Sequence, residues 1–141
     1  MPGAIKFQAF CICLIKLIFY NDYLRPKGIA LFAIDMPGIA SSNKLNLSAD
    51  LSIVVDSAIG YLKDLKYIDA THLGLLGMRI AGSACIRSCI LNQQAVKALA
   101  VIAPAVHSLF TDKDILNSLP LCLRSNYANR LNLDASNWDT I

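Results

Sequence analysis

The chain has 141 residues, with 13 Lys and Arg against 10 Asp and Glu and a net charge of +3. That length suits one domain with a sizeable core. The basic residues are scattered rather than gathered into a stripe, which excludes a phosphate-tracking surface and nucleic acid as a partner. Apolar residues make up 55% and charged residues 16%, above and below the ordinary shares. The excess implies segments buried on both faces, as parallel strands are, or surface that further chain would cover. The cysteines are Cys11, Cys13, Cys85, Cys89 and Cys122, an odd number without a metal-type CxxC pair. Neither a metal nor another cofactor is expected. Cys85 and Cys89 lie four apart on a helical pattern and can pair; the commoner role of such residues is small apolar packing in a reducing cytosol.

In chain order, Phe7–Tyr20 is strongly apolar but interrupted by Lys16. It is too short to span a bilayer and no small-x-small cleavage site follows, so it reads as a helix rather than a membrane span or signal peptide. The helical pattern over Ile12 to Leu24 ends before Pro26-Lys27-Gly28. Gly28 to Asp35 is continuously apolar until its last residue, the pattern of a central parallel strand. A Ser-, Asn- and Gly-containing loop follows from Met36 to Asn46, and Ser48 is the expected N-cap of a helix with Asp50 in its first turn. That helix runs to about Leu65, with Leu51, Val54, Val55, Ala58, Ile59 and Leu62 on one face. Tyr67–His72 is a turn, Leu73–Gly77 a second buried strand, Ala81 to Gln93 a helix, and Ala98–Ala103 a third strand closed by Pro104. Beyond His107 the tail reads as two helical pieces with a break near Pro120. Strands alternating with helices of this length predict an α/β fold: a parallel sheet of about three strands flanked by helices. Its two open edges predict self-association.

Gly77-Met78-Arg79-Ile80-Ala81 joins the second strand to its helix. Small residues two before and two after a central position let strand and helix pack closely around a sharp turn, the requirement of a nucleophile elbow. Such a turn thrusts its central side chain above the carboxyl ends of the strands, where α/β sheets bind ligands. The next backbone N–H, that of Ile80, then faces developing negative charge together with the helix N-terminus. The central residue is arginine, which stays protonated and has no lone pair with which to attack.

The run Asp69-Ala70-Thr71, the apolar strand and this elbow resemble the α/β-hydrolase superfamily. Asp22-Tyr23-Leu24-Arg25-Pro26-Lys27-Gly28-Ile29-Ala30, Ile34-Asp35-Met36-Pro37, the Gly-x-Arg-x-small elbow and Ala103-Pro104-Ala105-Val106-His107-Ser108-Leu109 narrow the resemblance to the fermentation–respiration switch esterases. It runs from about Asp22 to Leu133 and divides the chain into a divergent apolar segment, 1–21, and a partial α/β-hydrolase domain, 22–141. The resemblance implies a bacterial, cytoplasmic protein of carboxylic ester hydrolysis, with arginine common at the elbow centre. It implies as substrate a small ester, and as partner the glucose-specific IIA protein of the phosphotransferase system; the elbow arginine itself offers an anionic small molecule as the other ligand.

A serine hydrolase needs nucleophile, acid and base in that chain order. After the elbow this sequence supplies one strand and some helix, so the expectation is a truncated esterase-like chain inactive on its own. The alternatives are a non-catalytic regulator that binds the IIA protein and the product of a disrupted gene. Arg79 is then either an anion clamp, its fork matching a carboxylate or phosphate, or half of a salt bridge to Asp35 or Asp56. Asp35 ends its strand at the ligand end, where it orients Arg79 or His107 or caps the loop. His107, just past the third strand, is a candidate base. Ser83 reads as a packing residue, Ser41 and Ser42 as solvated turn residues, and His72, at the opposite end of the sheet, as structural.

Overall fold

The Leu73–Met78 run is apolar on both sides of its pleat, so it must be covered on both faces. In the structure, a computed structural model describing residues 6–11 and 23–134, Leu75 and Leu76, which point to opposite faces, are buried accordingly. The run is the third of four parallel strands: β1 (Lys6–Cys11), β2 (Ile29–Ala33), β3 (Leu73–Met78) and β4 (Val96–Ile102). They lie side by side in the order β2-β1-β3-β4.

The fourth strand corrects the sequence reading. β1 falls, but for Lys6, within the run expected to be helical, because Phe7–Cys11 is too short for its one polar residue, Gln8, to mark a strand period against a helical one. It lies inside the sheet, Phe7 opposite Ala30 of β2 and Ala9 opposite Leu75 of β3. β2, expected to be central, is therefore an edge of the sheet that the described residues form. Most of the helix expected between Ile12 and Leu24 lies outside the described residues. The chain enters β2 through a 3-10 turn, Arg25–Lys27, closed by Gly28 at φ 69°. β4 forms the other edge and is poorly covered, with Leu99 39% and Ile102 45% exposed.

Helix α1 (Ile53–Lys63) buries Val55, Ala58, Ile59 and Leu62, four of the six residues assigned to its apolar face. It starts later than expected. The Asp50 carboxylate accepts the Ser52 N–H at 3.2 Å and the Ser52 hydroxyl at 2.8 Å, a local turn that competes with helix. Ser48 donates to the Asp50 carbonyl and caps nothing. Helix α2 (Ile80–Leu91) packs on β3 and is tied to α1 through Asp56, which accepts from the buried Ser88 hydroxyl and, at 2.7 Å, from Asn92. Cys85 belongs to the buried core, and Cys85, Cys89 and Cys122 form no disulfide.

The tail forms three short helices, α3 (His107–Thr111), α4 (Lys113–Ser118) and α5 (Leu121–Leu131), the last two separated at Pro120. Asp112 caps α4 by accepting the N–H groups of Asp114 and Ile115. The end of α5 docks on the loop after β2: Arg130 donates to the Pro37 carbonyl at 3.0 Å, and Leu47 N–H donates to the Arg130 carbonyl at 2.7 Å. Among the described residues no helix is long and apolar enough to cross a membrane, and no three metal-ligating side chains gather.

Candidate functional site

Between β3 and α2 the chain has a single residue in which to reverse. Arg79 makes the turn at φ 54° and ψ −127°, a conformation that costs a residue with a side chain roughly 1–3 kcal/mol. The surroundings enforce it. Arg79 N–H donates to the Ile102 carbonyl of β4 at 2.9 Å, and the Arg79 carbonyl accepts from Gly82 at 2.9 Å and Ala105 at 3.3 Å. A Cβ on Gly77 would fall 2.5 Å from the Ala81 carbonyl oxygen, so only glycine lets strand and helix approach this closely. The second close approach is at Gly82, where a Cβ would meet Pro104 at 3.0 Å, rather than at Ala81. Ala103, at φ 45°, swings Pro104 and Ala105 against α2.

The Arg79 side chain is exposed and has no ion-pair or hydrogen-bond partner among the described residues. Neither carboxylate offered as its bridge is engaged with it. Asp35 accepts the Ser41 N–H at 3.2 Å and the Ser41 hydroxyl at 2.5 Å, while Asp56 holds Ser88 and Asn92. Ile80 N–H opens α2 and has no acceptor inside the helix. A protonated, planar fork next to an orphan N–H is chemistry for an anion or a polarised carbonyl oxygen.

Beside the elbow lies a cavity of about 670 Å³, walled by one face of α2, the 47–51 segment, the turn after β4 and the tail helices. Ile80, Ser83 and His107 line it; Arg79 and Asp35 are not among its walls. His107 opens α3 with its side chain exposed. Ser83 donates its hydroxyl proton to the Ala105 carbonyl and so ties α2 to the turn after β4. A serine whose proton goes to a carbonyl instead of a base is not activated.

His72 lies at the far end of the sheet, its Nδ1 2.7 Å from the Asp69 carboxylate. Hydrogen bonds from Thr71, hydroxyl first and then N–H, hold the Asp69 carboxyl below its ordinary range, and His72 adds to them. Arg87 is among the lining residues that the sequence reading did not single out. Arg87 shares the cavity face of α2 with Ile80, Ser83 and Ile90, and the 80/83/87/90 spacing was the signal for it.

A parallel sheet whose inner strand ends in a tight elbow, followed at once by a helix that starts at that strand's carboxyl end and packs back on the sheet, defines an α/β-hydrolase-fold protein. Solved structures agree. The chain superposes on AbyA5 Wildtype with a TM-score of 0.77 at 13% identity, over 99% of this chain and 40% of that one. On YbtT, a type II thioesterase from the yersiniabactin NRPS/PKS biosynthetic pathway, the TM-score is 0.55 at 16% identity, over 99% of this chain and 66% of that one. At such identities the likeness shows the fold alone.

The sequence goes further. The family profile described as Esterase FrsA-like matches residues 14–141, starting earlier than Asp22. Esterase FrsA of Yersinia pestis (strain Pestoides F) is 31% identical over 122 residues, 86% of this chain and 29% of that protein. The same values hold for Esterase FrsA of Yersinia pseudotuberculosis serotype O:3 (strain YPIII). The chain belongs to the FrsA-like esterase family, and it spans 29% of the length of these curated relatives.

Proposed function

We propose that this chain supplies the electrostatic half of carboxylic ester hydrolysis, holding a small ester or an anionic small molecule at the elbow. The observation that carries the reading is Arg79, held at the nucleophile position by its backbone with its guanidinium exposed and unengaged among the described residues. Arg79 and the Ile80 N–H would bear on the oxygen where negative charge develops when an ester is attacked. Ser83, the serine on α2 nearest the elbow among the described residues, gives its proton to a carbonyl and is no nucleophile. The undisulfided Cys85 and Cys89, on one helix, support a reducing, cytoplasmic setting.

The test is hydrolysis of p-nitrophenyl butyrate by the purified chain. Turnover that falls roughly 100-fold in Arg79→Ala and survives in Ser83→Ala supports the reading. Equal turnover by Arg79→Ala refutes it. The regulatory alternative, binding of the phosphotransferase-system glucose IIA protein, makes a different prediction: saturable capture of that protein by a chain with no turnover.

A further inference from the structure

The cavity beside the elbow is a second feature, and the esterase reading makes no use of its far end. Among the described residues sixteen line it, eleven of them apolar and none of them Asp or Glu. The permanent cation among them is Arg87. It lies eight residues beyond Arg79 along α2, about 12 Å along the axis, so it is not part of the elbow. Arg87 touches one carboxylate, Asp50, through its Nε at 3.4 Å, with both side chains about half exposed. That separation exceeds the length of a strong charge-assisted bond, and an exposed pair of this kind is weak. Tyr127 adds a hydroxyl and Leu51, Ile86 and Leu116 add apolar wall. A volume of about 670 Å³ is ordinary for a small-molecule site.

Apolar walls, no acidic residue among the described lining residues and one guanidinium weakly engaged by Asp50, at the end away from the elbow, are complementary to an amphipathic anion. We propose that this cavity binds a medium-chain alkyl carboxylate, its carboxylate on Arg87 and its chain running along α2 toward Ile80. The proposal is independent of what the elbow does. It also assigns Asp50 a role: a competing carboxylate that must release Arg87 when ligand enters. Asp50→Asn keeps an oxygen to accept from Ser52 while removing the competing charge.

Isothermal titration of the full chain with octanoate tests this. One saturable site is expected, about tenfold weaker for hexanoate because two methylenes fewer are buried. Arg87→Gln should weaken octanoate about tenfold by removing a charge-assisted bond, and Asp50→Asn should tighten it. Arg79→Gln should leave it unchanged, which separates this site from the elbow. The proposal is overturned if folded wild-type chain shows no saturable octanoate binding, or if octanol binds as tightly as octanoate. It is equally overturned if Arg79→Gln abolishes binding while Arg87→Gln does not.

Discussion

Gly77→Ala adds one methyl group at the tightest point of the elbow. That Cβ would sit 2.5 Å from the Ala81 carbonyl oxygen, 2.7 Å from Gly82 Cα and 2.8 Å from the Ala81 carbonyl carbon. All three neighbours are backbone atoms, so no side chain can rotate away and the first turn of α2 must lift from β3. Lifting it loosens contacts held by the buried Ala81, Ala84 and Cys85 and strains the Arg79 hydrogen bonds to Ile102 and Ala105. Overpacking of this kind costs about 1–3 kcal/mol, and losing a glycine returns about 0.4–1 kcal/mol by restricting the unfolded chain. Rigid neighbours put the cost near its upper end, for a net loss of about 2 kcal/mol and a Tm lowered by about 8 °C at this chain length. Gly60→Ala is the matched control: it lies in α1 with nothing within 4 Å of the added Cβ. There alanine should stabilise by about 0.5–1 kcal/mol and raise Tm by about 2–4 °C. Thermal melts followed by circular dichroism read both. If Gly77→Ala melts at or above the wild-type temperature, the elbow is not packed as described.

Arg79→Gly should remove the strain of a side chain at φ 54° and, after glycine's own entropy cost, raise stability by about 1 kcal/mol by thermal melt. Ser88→Ala leaves Asp56 with Asn92 as its remaining side-chain donor among the described residues, and should lower the urea midpoint by the equivalent of about 1–2 kcal/mol with an unchanged slope. Asp69 has its carboxyl pKa lowered by Thr71 and His72, so its contribution is complete above the ordinary carboxylate value and lost as pH falls through the lower folded value. The Tm gap between wild type and Asp69→Asn should therefore be open at about pH 6 and close toward about pH 3. The bare β4 edge should drive self-association, and light scattering should show it reduced by Leu99→Lys; an unaltered mass distribution would acquit that edge.

What was legible followed from whether the controlling interaction is local. The elbow could be read from Gly77, Arg79 and the strand before it, because the turn is made by adjacent residues and glycine is the physical requirement at one of them. The buried face of α1 was legible from its period. β1 was not, since Phe7–Cys11 gains its strand character from pairing with β2 and β3 rather than from alternation of its own. Ser48 and Ser52 illustrate the same limit at short range: each is a fit capping residue, and the Asp50 turn decides between them. Arg87 acquires meaning only when the tail helices close over α2. Ala103 carries no signal for its positive φ, because Pro104 packing on Gly82 imposes it from outside.

The arginine at the elbow is the feature the fold explains least and the site explains best. Every interaction that fixes the turn is made by the Arg79 backbone: its N–H to Ile102, its carbonyl to Gly82 and Ala105. The fold therefore places no demand on the side chain, and glycine would satisfy the same geometry without the strain. The proposed function therefore rests on the guanidinium alone, and neither Asp35 nor Asp56 is engaged with it. Under the proposed function, what that guanidinium meets is the negative or polarised oxygen of a ligand at the elbow. Lysine would keep the charge but lose the fork, so Arg79→Lys separates a demand for charge from a demand for bidentate geometry.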